Sequence, residues 1–388
     1  MKSCKILIIS AIIFCVSLPT SYSQISSDDL LGQYNAFTPA VPFLLFSPTA
    51  EIGGLANIQS VSGQSGFSGV FGNPGLLSGD SAKFGFVAAY MPWIRELIPD
   101  FNYYSLGGFY RISEKHVIGV NGVILQQGEI NYLNIPGQTP GPFRPLELAP
   151  SISYSYSISK LMSFGVRAKY IYSDLVGRYV GGVESTPGQA LAFDVGFSKN
   201  FINKNRRSSH QVGVTLQNVG SKISYSKNSD KNFIPINLRV GYRYNYRISY
   251  RSNIFVSYEI EKLLIPSPPI YFKDSLTISH APAIEYGYDP NVSVPLGMIR
   301  SFYDAPDGLS EELHEIQHHI AIGLKLNRFR VSGGYFHQDA TKGHNKYFSI
   351  GTGVDYRSLR LDMCYIIPVY KNSYLTSTFQ LALGFIID

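Results

Sequence analysis

Cysteine is scarce in this chain, and charge is scarcer than its length leads one to expect. Only three cysteines occur in 388 residues. Cys4 and Cys15 sit near the start, so a chain trimmed there keeps Cys364 alone and can form no intrachain disulfide. Charged residues make up 15% of the chain, against about 25% in an average soluble domain. Tryptophan occurs once, as Trp93. No stretch approaches the roughly 18 consecutive apolar residues of a membrane-spanning helix, which excludes that mode of insertion. The G-x-S-x-G elbow and the P-loop are both missing, which removes two large enzyme classes. A formal charge of +6 is too mild to point to nucleic acid.

What the chain does have is ordered. It starts with the basic stretch Met1–Lys5, continues with the apolar run Ile6–Leu18, and then places small residues two apart at Ser21 and Ser23. That order is a secretory signal peptide, residues 1–23, cleaved after Ser23. Phe14 before Cys15 is too large for lipoprotein processing. Loss of Lys2 and Lys5 lowers the formal charge from +6 to +4. The full chain carries 28 Tyr, 24 Phe and 36 Gly. Many aromatics and glycines with few charges suit a sheet with one greasy face and one polar face.

The dominant pattern is alternation with period two. Along Ile152–Ile158, large apolar residues alternate with serines. In Leu238–Tyr246, Leu238, Val240, Tyr242, Tyr244 and Tyr246 share one face, while Arg239, Gly241, Arg243 and Asn245 share the other. A helix would scatter those arginines around its cylinder; a strand sends them all into a watery lumen. An Arg on the lipid face at mid-membrane costs roughly 2–4 kcal/mol. Such segments fall at 82–91, 102–112, 116–126, 149–159, 162–173, 190–200, 210–219, 237–247, 252–262, 317–327, 329–338, 346–356, 359–368 and 376–387. Fourteen is an even number, and each is near the length of a tilted spanning strand. Short connections such as 113–115, 160–161, 250–251 and 357–358 alternate with long ones at 127–148, 174–189, 220–236 and 263–316. The expected fold is all-β: a transmembrane antiparallel β-barrel over 82–388, with short periplasmic turns, long outside loops and both termini periplasmic. Residues 24–81, rich in Gly, Ser and Pro with the apolar patch Val41–Phe46, read as an N-terminal periplasmic lead-in able to fold into the lumen as a plug; composition allows a mobile tail equally for 24–36, and the apolar patch argues against one for 39–58.

His314-Glu315-Ile316-Gln317-His318 spells the H-E-x-x-H of zinc proteases. That chemistry needs both histidines on one helix face, with Glu as base. The alternation that begins at Gln317 contradicts a helix, no glutamate follows Glu315, and Ala321 and Leu324 occupy the further metzincin positions. His314, Glu315 and His318 therefore read as rim residues forming a chance motif; no metal, cofactor or catalytic residue is assigned. The lumen charges Arg167, Lys169, Arg239, Arg243, Arg247, Glu259, Arg330, Arg360 and Asp362 read as mutually paired struts rather than a substrate path.

The loops are more suggestive. Met91–Pro99 places Trp93 and Arg95 at a strand end, as an aromatic-girdle anchor or as a docking loop. Glu261–Tyr271 opens the longest outside segment, and three prolines in four residues, Pro266, Pro268 and Pro269, stiffen it. Leu264, Ile265 and Tyr271 beside these prolines, with Phe302 further on, suit contact with a protein.

Several of these segments carry a resemblance: Ala40–Leu45 with Ser47-Pro48; Asn73-Pro74; Pro92–Arg95; Leu216–Gly220; Lys262–Pro269; Asp289–Ser293; and Ser301-Phe302 through Asp304–Pro306. In this order they resemble the PorV family of the type IX secretion system of Bacteroidetes, across nearly the whole chain after the signal peptide. The Lys-Leu-Leu-x-Pro-x-Pro-Pro run is the most specific; Val70-Phe71-Gly72 departs from the family's His-Trp pair. The resemblance implies a fourteen-stranded barrel similar to FadL-type channels, set in outer-membrane lipid. It also implies a secretion role: binding the C-terminal signal domains of secreted cargo at the type IX translocon barrel and passing that cargo to a sortase-like surface attachment complex. With that role, Trp93, Arg95, Leu264, Ile265, Pro266, Pro268, Pro269, Tyr271 and Phe302 of the loops read above are the expected partner-binding residues. The alternative is a FadL-like transporter of hydrophobic small molecules, which rests on architecture alone.

Overall fold

A computed structural model describes residues 35–61, 66–79, 81–95, 100–129, 142–175, 177, 179–180, 183–204, 207–226, 231–276, 282–370, 375 and 378–387. The expected signal peptide, 1–23, and the lead-in up to 34 lie outside them. Fourteen barrel strands follow in order: β1 Phe84–Pro92, β2 Asn102–Arg111, β3 His116–Gln126, β4 Leu146–Ser159, β5 Met162–Asp174, β6 Gly188–Ile202 and β7 Ser208–Gly220. Then come β8 Asn237–Ser249, β9 Ser252–Leu263, β10 Gln317–Leu326, β11 Phe329–His337, β12 Lys346–Tyr356, β13 Leu359–Pro368 and β14 Phe379–Ile387. Each pairs antiparallel with its chain neighbours, and β14 closes on β1 with Phe84 opposite Ile387 and Tyr90 opposite Leu381. Closure leaves no free sheet edge, which a membrane demands because hydrocarbon cannot satisfy backbone groups.

The fourteen expected segments are the fourteen strands. Differences lie at the ends: β4 begins at Leu146 rather than 149, and β6 and β7 run further both ways. Residues 376 and 377, expected in the last strand, are outside the described set. Connections alternate as read: 112–115, 160–161, 203–207, 250–251, 327–328 and 357–358 are short and share one end. Asn327 and Arg357 take left-handed φ of 56° and 53° there, as tight hairpin turns require. The longer links gather at the other end. They include small hairpins, Tyr179–Val180 with Val183–Glu184 and Ile270–Leu276 with Pro282–Tyr286.

The outer face is a band of exposed apolar side chains. On β13, Leu359, Leu361, Met363, Tyr365 and Ile367 point out while Arg360, Asp362, Cys364 and Ile366 are buried. Inside, the lumen is not watery. Residues 40–61 and 66–79 occupy it through a 3₁₀ turn Pro42–Leu45, α1 Ala50–Gly53, α2 Phe67–Phe71 and a 3₁₀ turn Pro74–Gly79. Helices this short hold only by tertiary packing, and here Phe43, Ile52, Val70 and Leu77 are buried. The plug lies so close to the wall that glycine is needed where they touch. A Cβ on Gly213 would sit 1.9 Å from the Ser60 carbonyl oxygen, and one on Gly165 2.4 Å from the Pro74 carbonyl oxygen.

Inward charges clamp the plug. Arg167 donates to the carbonyls of Gly69, Val70, Phe71 and Gly72 at 2.7–3.0 Å and pairs with Asp194 at 2.9 Å. Arg239 bonds the Asn57 carbonyl at 3.0 Å and pairs with Glu259 and Glu261. Glu259 in turn accepts from the Gln59 and Ser60 backbone N–H groups. Two resemblance segments have structural work here. Asn73 Nδ2 donates to the Ser60 and Phe197 carbonyls, tying plug to wall. Asn218, at φ 60° in a bulge of β7, donates its N–H to Asp194 and its side-chain amide to the Pro235 carbonyl.

The plug threads the barrel. Asn35 sits at the long-loop mouth, where its amide donates to the Pro268 carbonyl and its N–H to the Thr341 carbonyl. Ser78 sits at the other mouth, its carbonyl accepting from Arg111 at the end of β2. Ile387 is therefore at the short-turn end and Asn35 at the opposite one. The expectation that both termini are periplasmic involves an N-terminal end that lies outside the described residues; Asn35 and Ile387 stand at opposite mouths because the plug spans the lumen before β1 begins.

Candidate functional site

The long-loop mouth is sealed by the segment that leaves β9. Leu264 and Ile265 are each 4% exposed, and the Leu264 N–H donates to the Ile236 carbonyl at 2.7 Å. Pro269 is buried; Pro266 and Pro268 are half-buried. Between them Ser267 donates its Oγ to Glu315 at 2.7 Å and its N–H to Asp304 at 3.2 Å. Proline fixes φ and removes donors, so the run crosses the mouth in one extended form and leaves few groups to satisfy.

Beneath it lies a buried ionic cluster. Lys262 meets Glu312 at 2.8 Å and Glu315 at 2.6 Å, while Lys342 meets Glu315 at 3.0 Å and also pairs with Glu311. Four carboxylates, counting Asp304, face two ammonium groups. The Asp304 carboxyl titrates at about 6: burial pushes it up, Ser267 hydrogen bonds oppose this, and Glu312 and Glu315 add repulsion. Glu311, although burial works against it, is held below the ordinary carboxylate range by Lys342, the Asp307 N–H and Asn35.

The outer face of the same loop carries many exposed apolar and aromatic side chains. Tyr271, Phe272, Tyr286, Ile299, Phe302, Tyr303, Leu309 and Leu313 are all exposed, with Phe302 at 52%. They are carried by the hairpin, by α3 (Val294–Arg300), by the turn after it that holds Phe302 and Tyr303, and by α4 (Leu309–His314). Tyr288 meets Tyr303 edge-on at 6.4 Å, and Arg300 lies 5.6 Å from the Tyr288 ring. A fixed base with aromatic side chains directed outward is the form of an interaction surface.

The expected contact residues divide. Arg95, Tyr271 and Phe302 face outward. Leu264, Ile265 and Pro269 are turned inward as the seal. Trp93 is 8% exposed and stacks on Phe46 of the plug at 4.1 Å, so its ring faces the plug rather than the lipid girdle. The plug supplies the apolar partner that an isolated reading of the strand end places in the membrane. Phe272, Tyr286, Ile299, Tyr303 and Leu309 join the surface without a signal in the periodicity, since loops have none. The doublets Tyr271-Phe272 and Phe302-Tyr303 were the available hint.

The H-E-x-x-H segment straddles the end of α4 and the start of β10. His314 is exposed on the last helical turn, and Glu315 is the buried partner of two lysines. His318 lies on the barrel's outer side with Nδ1 2.7 Å from the Tyr258 hydroxyl, and His319 points inward to the Ala56 carbonyl and Glu261. The two motif histidines share no helix face. Among the described residues no group of three or more metal-binding side chains converges.

Residues 31–270 match the family model described as Type IX secretion system protein PorV. Similar solved structures include a TodX monoaromatic hydrocarbon channel deltaS2S3 mutant, 11% identical over 87% of this chain and 98% of that one, with a TM-score of 0.50. The toluene transporter TbuX of Ralstonia pickettii is 11% identical, covers 88% and 98%, and has a TM-score of 0.47. A FadL homologue of Pseudomonas aeruginosa is 8% identical, covers 88% and 98%, and has a TM-score of 0.45. No curated protein matches by sequence.

Proposed function

Because the chain belongs to the PorV family of type IX secretion system proteins, a secretion family with a FadL-like outer-membrane barrel, we propose that it receives secreted cargo by its C-terminal signal domain at the translocon and delivers it to the cell-surface attachment complex. In this reading the long loops face outside and the C-terminal strand ends at the periplasmic side. The observation that carries it is the exposed aromatic face of residues 264–316, held on a proline-stiffened, ion-paired base. The plug favours the same reading, since a lumen clamped shut by Arg167 and Arg239 serves an outer surface better than a flow of solute. The substitutions Tyr271→Ser, Phe302→Ser and Tyr303→Ser together are expected to abolish cargo release and cargo co-purification while the folded barrel remains heat-modifiable on gels. Undiminished secretion from that variant would sink the proposal.

A second reading has one observation of its own. A cavity of about 280 Å³ lies between plug and wall at the long-loop mouth, lined by Phe46, Trp93, Leu263, Phe336 and Tyr347 among others. A transporter of hydrophobic small molecules would load there. Uptake of a labelled lipid or aromatic above an empty-vector control, lost on Phe46→Arg, would favour it.

A further inference from the structure

Three arginines descend one face of β8 at four-residue spacing, and their surroundings differ step by step. Arg239 is paired with two glutamates. Arg247 is exposed at the short-turn mouth. Arg243, between them, is 1% exposed. Its Nε donates to the Asn245 side-chain oxygen at 3.0 Å, and its plane lies 3.5 Å over the Phe255 ring. Among the described residues its two terminal nitrogens, Nη1 and Nη2, have no acceptor. Stacking satisfies the face of a guanidinium, not its edge, and the in-plane N–H groups still need oxygen.

The neighbours do not supply it. Arg243 lines a cavity of about 40 Å³ with Glu51, Lys325, Arg330 and Asp362. Asp355 is taken by Arg330 and Lys325, Asp362 by Arg330 and Arg360, and Glu51 by Arg360 at 2.9 Å. Four cations thus share three carboxylates; Glu51 attracts Arg243 through space, but no carboxylate hydrogen-bonds its terminal nitrogens. Buried N–H groups left without an acceptor are among the costlier features a fold can hold.

The way in has the matching charge. The short-turn mouth opens on a vestibule of about 720 Å³ lined by Lys160, Arg207, Arg247, Arg251 and Lys325, with Asp355 its single acid. Such a mouth draws anions. We propose that the cavity at Arg243 is an oxyanion site, entered from the short-turn mouth, which takes a carboxylate or phosphate group on the in-plane fork of the guanidinium. The cavity has room for about three waters, so it holds the anionic head alone and any larger body of the ligand stays in the vestibule.

The test uses the full chain purified in detergent, unfolded by heat at constant ionic strength while chloride is exchanged for inorganic phosphate, acetate or dihexanoyl phosphatidic acid. A saturable rise in midpoint with phosphate or acetate is expected. It should be lost in Arg243→Met, partly kept in Arg243→Lys, and shifted to several-fold higher concentration in Arg247→Gln. A response to the phosphatidic acid alone keeps the site and assigns it to lipid headgroups rather than free ions. No response of the native chain to any of the three, or an unchanged response in Arg243→Met, overturns the proposal. Should Arg243→Met not fold, an unchanged half-saturation in both Arg243→Lys and Arg247→Gln overturns it equally.

Discussion

The two mouths of this barrel are closed by opposite chemistry. At the long-loop end Trp93, Phe46, Leu264 and Ile265 pack over lysines and glutamates that satisfy each other, and the polar groups are under the apolar ones. At the short-turn end basic side chains line an open vestibule, and among the described residues no anion hydrogen-bonds the terminal nitrogens of the buried arginine behind them. The first arrangement makes a firm pedestal for a surface that meets proteins. The second collects charge from solvent. One cylinder can therefore present two unlike faces, with the described plug residues packed between them.

Breaking the pedestal should have the largest effect. Glu315→Ala leaves Lys262 and Lys342 buried and short of a carboxylate, and is expected to cost about 3–5 kcal/mol. Limited proteolysis should then nick 264–316 while the barrel core stays resistant; an unchanged digestion pattern would mean the cluster does not anchor the loop. Trp93→Leu keeps the site apolar but removes the ring pair with Phe46, for a loss of about 1 kcal/mol in thermal or denaturant unfolding.

A smaller effect should follow pH. The Asp304 carboxyl titrates higher in the folded loop, at about 6, than its ordinary 3.8. The folded form thus binds the proton more tightly, so this group favours docking most at acid pH, and the contribution fades as pH rises from about 4 to 6. The loop should resist protease better at pH 5 than at pH 7, and Asp304→Asn should flatten that difference. If the loop is instead nicked faster at pH 5, the assigned direction is wrong. The smallest effect is expected from the double variant His314→Ala, His318→Ala: unfolding within about 0.5 kcal/mol of the parent and secretion unchanged. A large loss of either would restore a role for the motif.

The strands were legible because each alternates between lipid and lumen, and that period survives in any single segment. Arg167 and Arg239 could be placed inside the barrel for the same reason. What they hold could not be read, since their partners are backbone carbonyls of Gly69–Gly72 and Asn57, which have no signature in composition. The girdle reading of Trp93 missed its partner, Phe46, which lies outside the periodic part of the chain. The loop cluster joins Lys262 to Glu315 across an irregular stretch, where nothing in the spacing announces contact. Arg243 looked like the other lumen charges; only the arrangement of Glu51, Asp355 and Asp362 reveals that they leave its terminal nitrogens without a hydrogen bond.

The course of the plug constrains how the protein is assembled. It enters at the long-loop mouth, crosses the lumen and continues directly into β1, whose free edge is taken only by β14. A finished cylinder would have to admit residues 40–79 lengthwise past the clamps of Arg167 and Arg239. The wall must instead be wound around a segment already in place, with the β1–β14 seam zipped last. The part of the chain made first is thus the mandrel for everything after it, and a damaged plug should show itself as barrels that fail to close rather than as open pores.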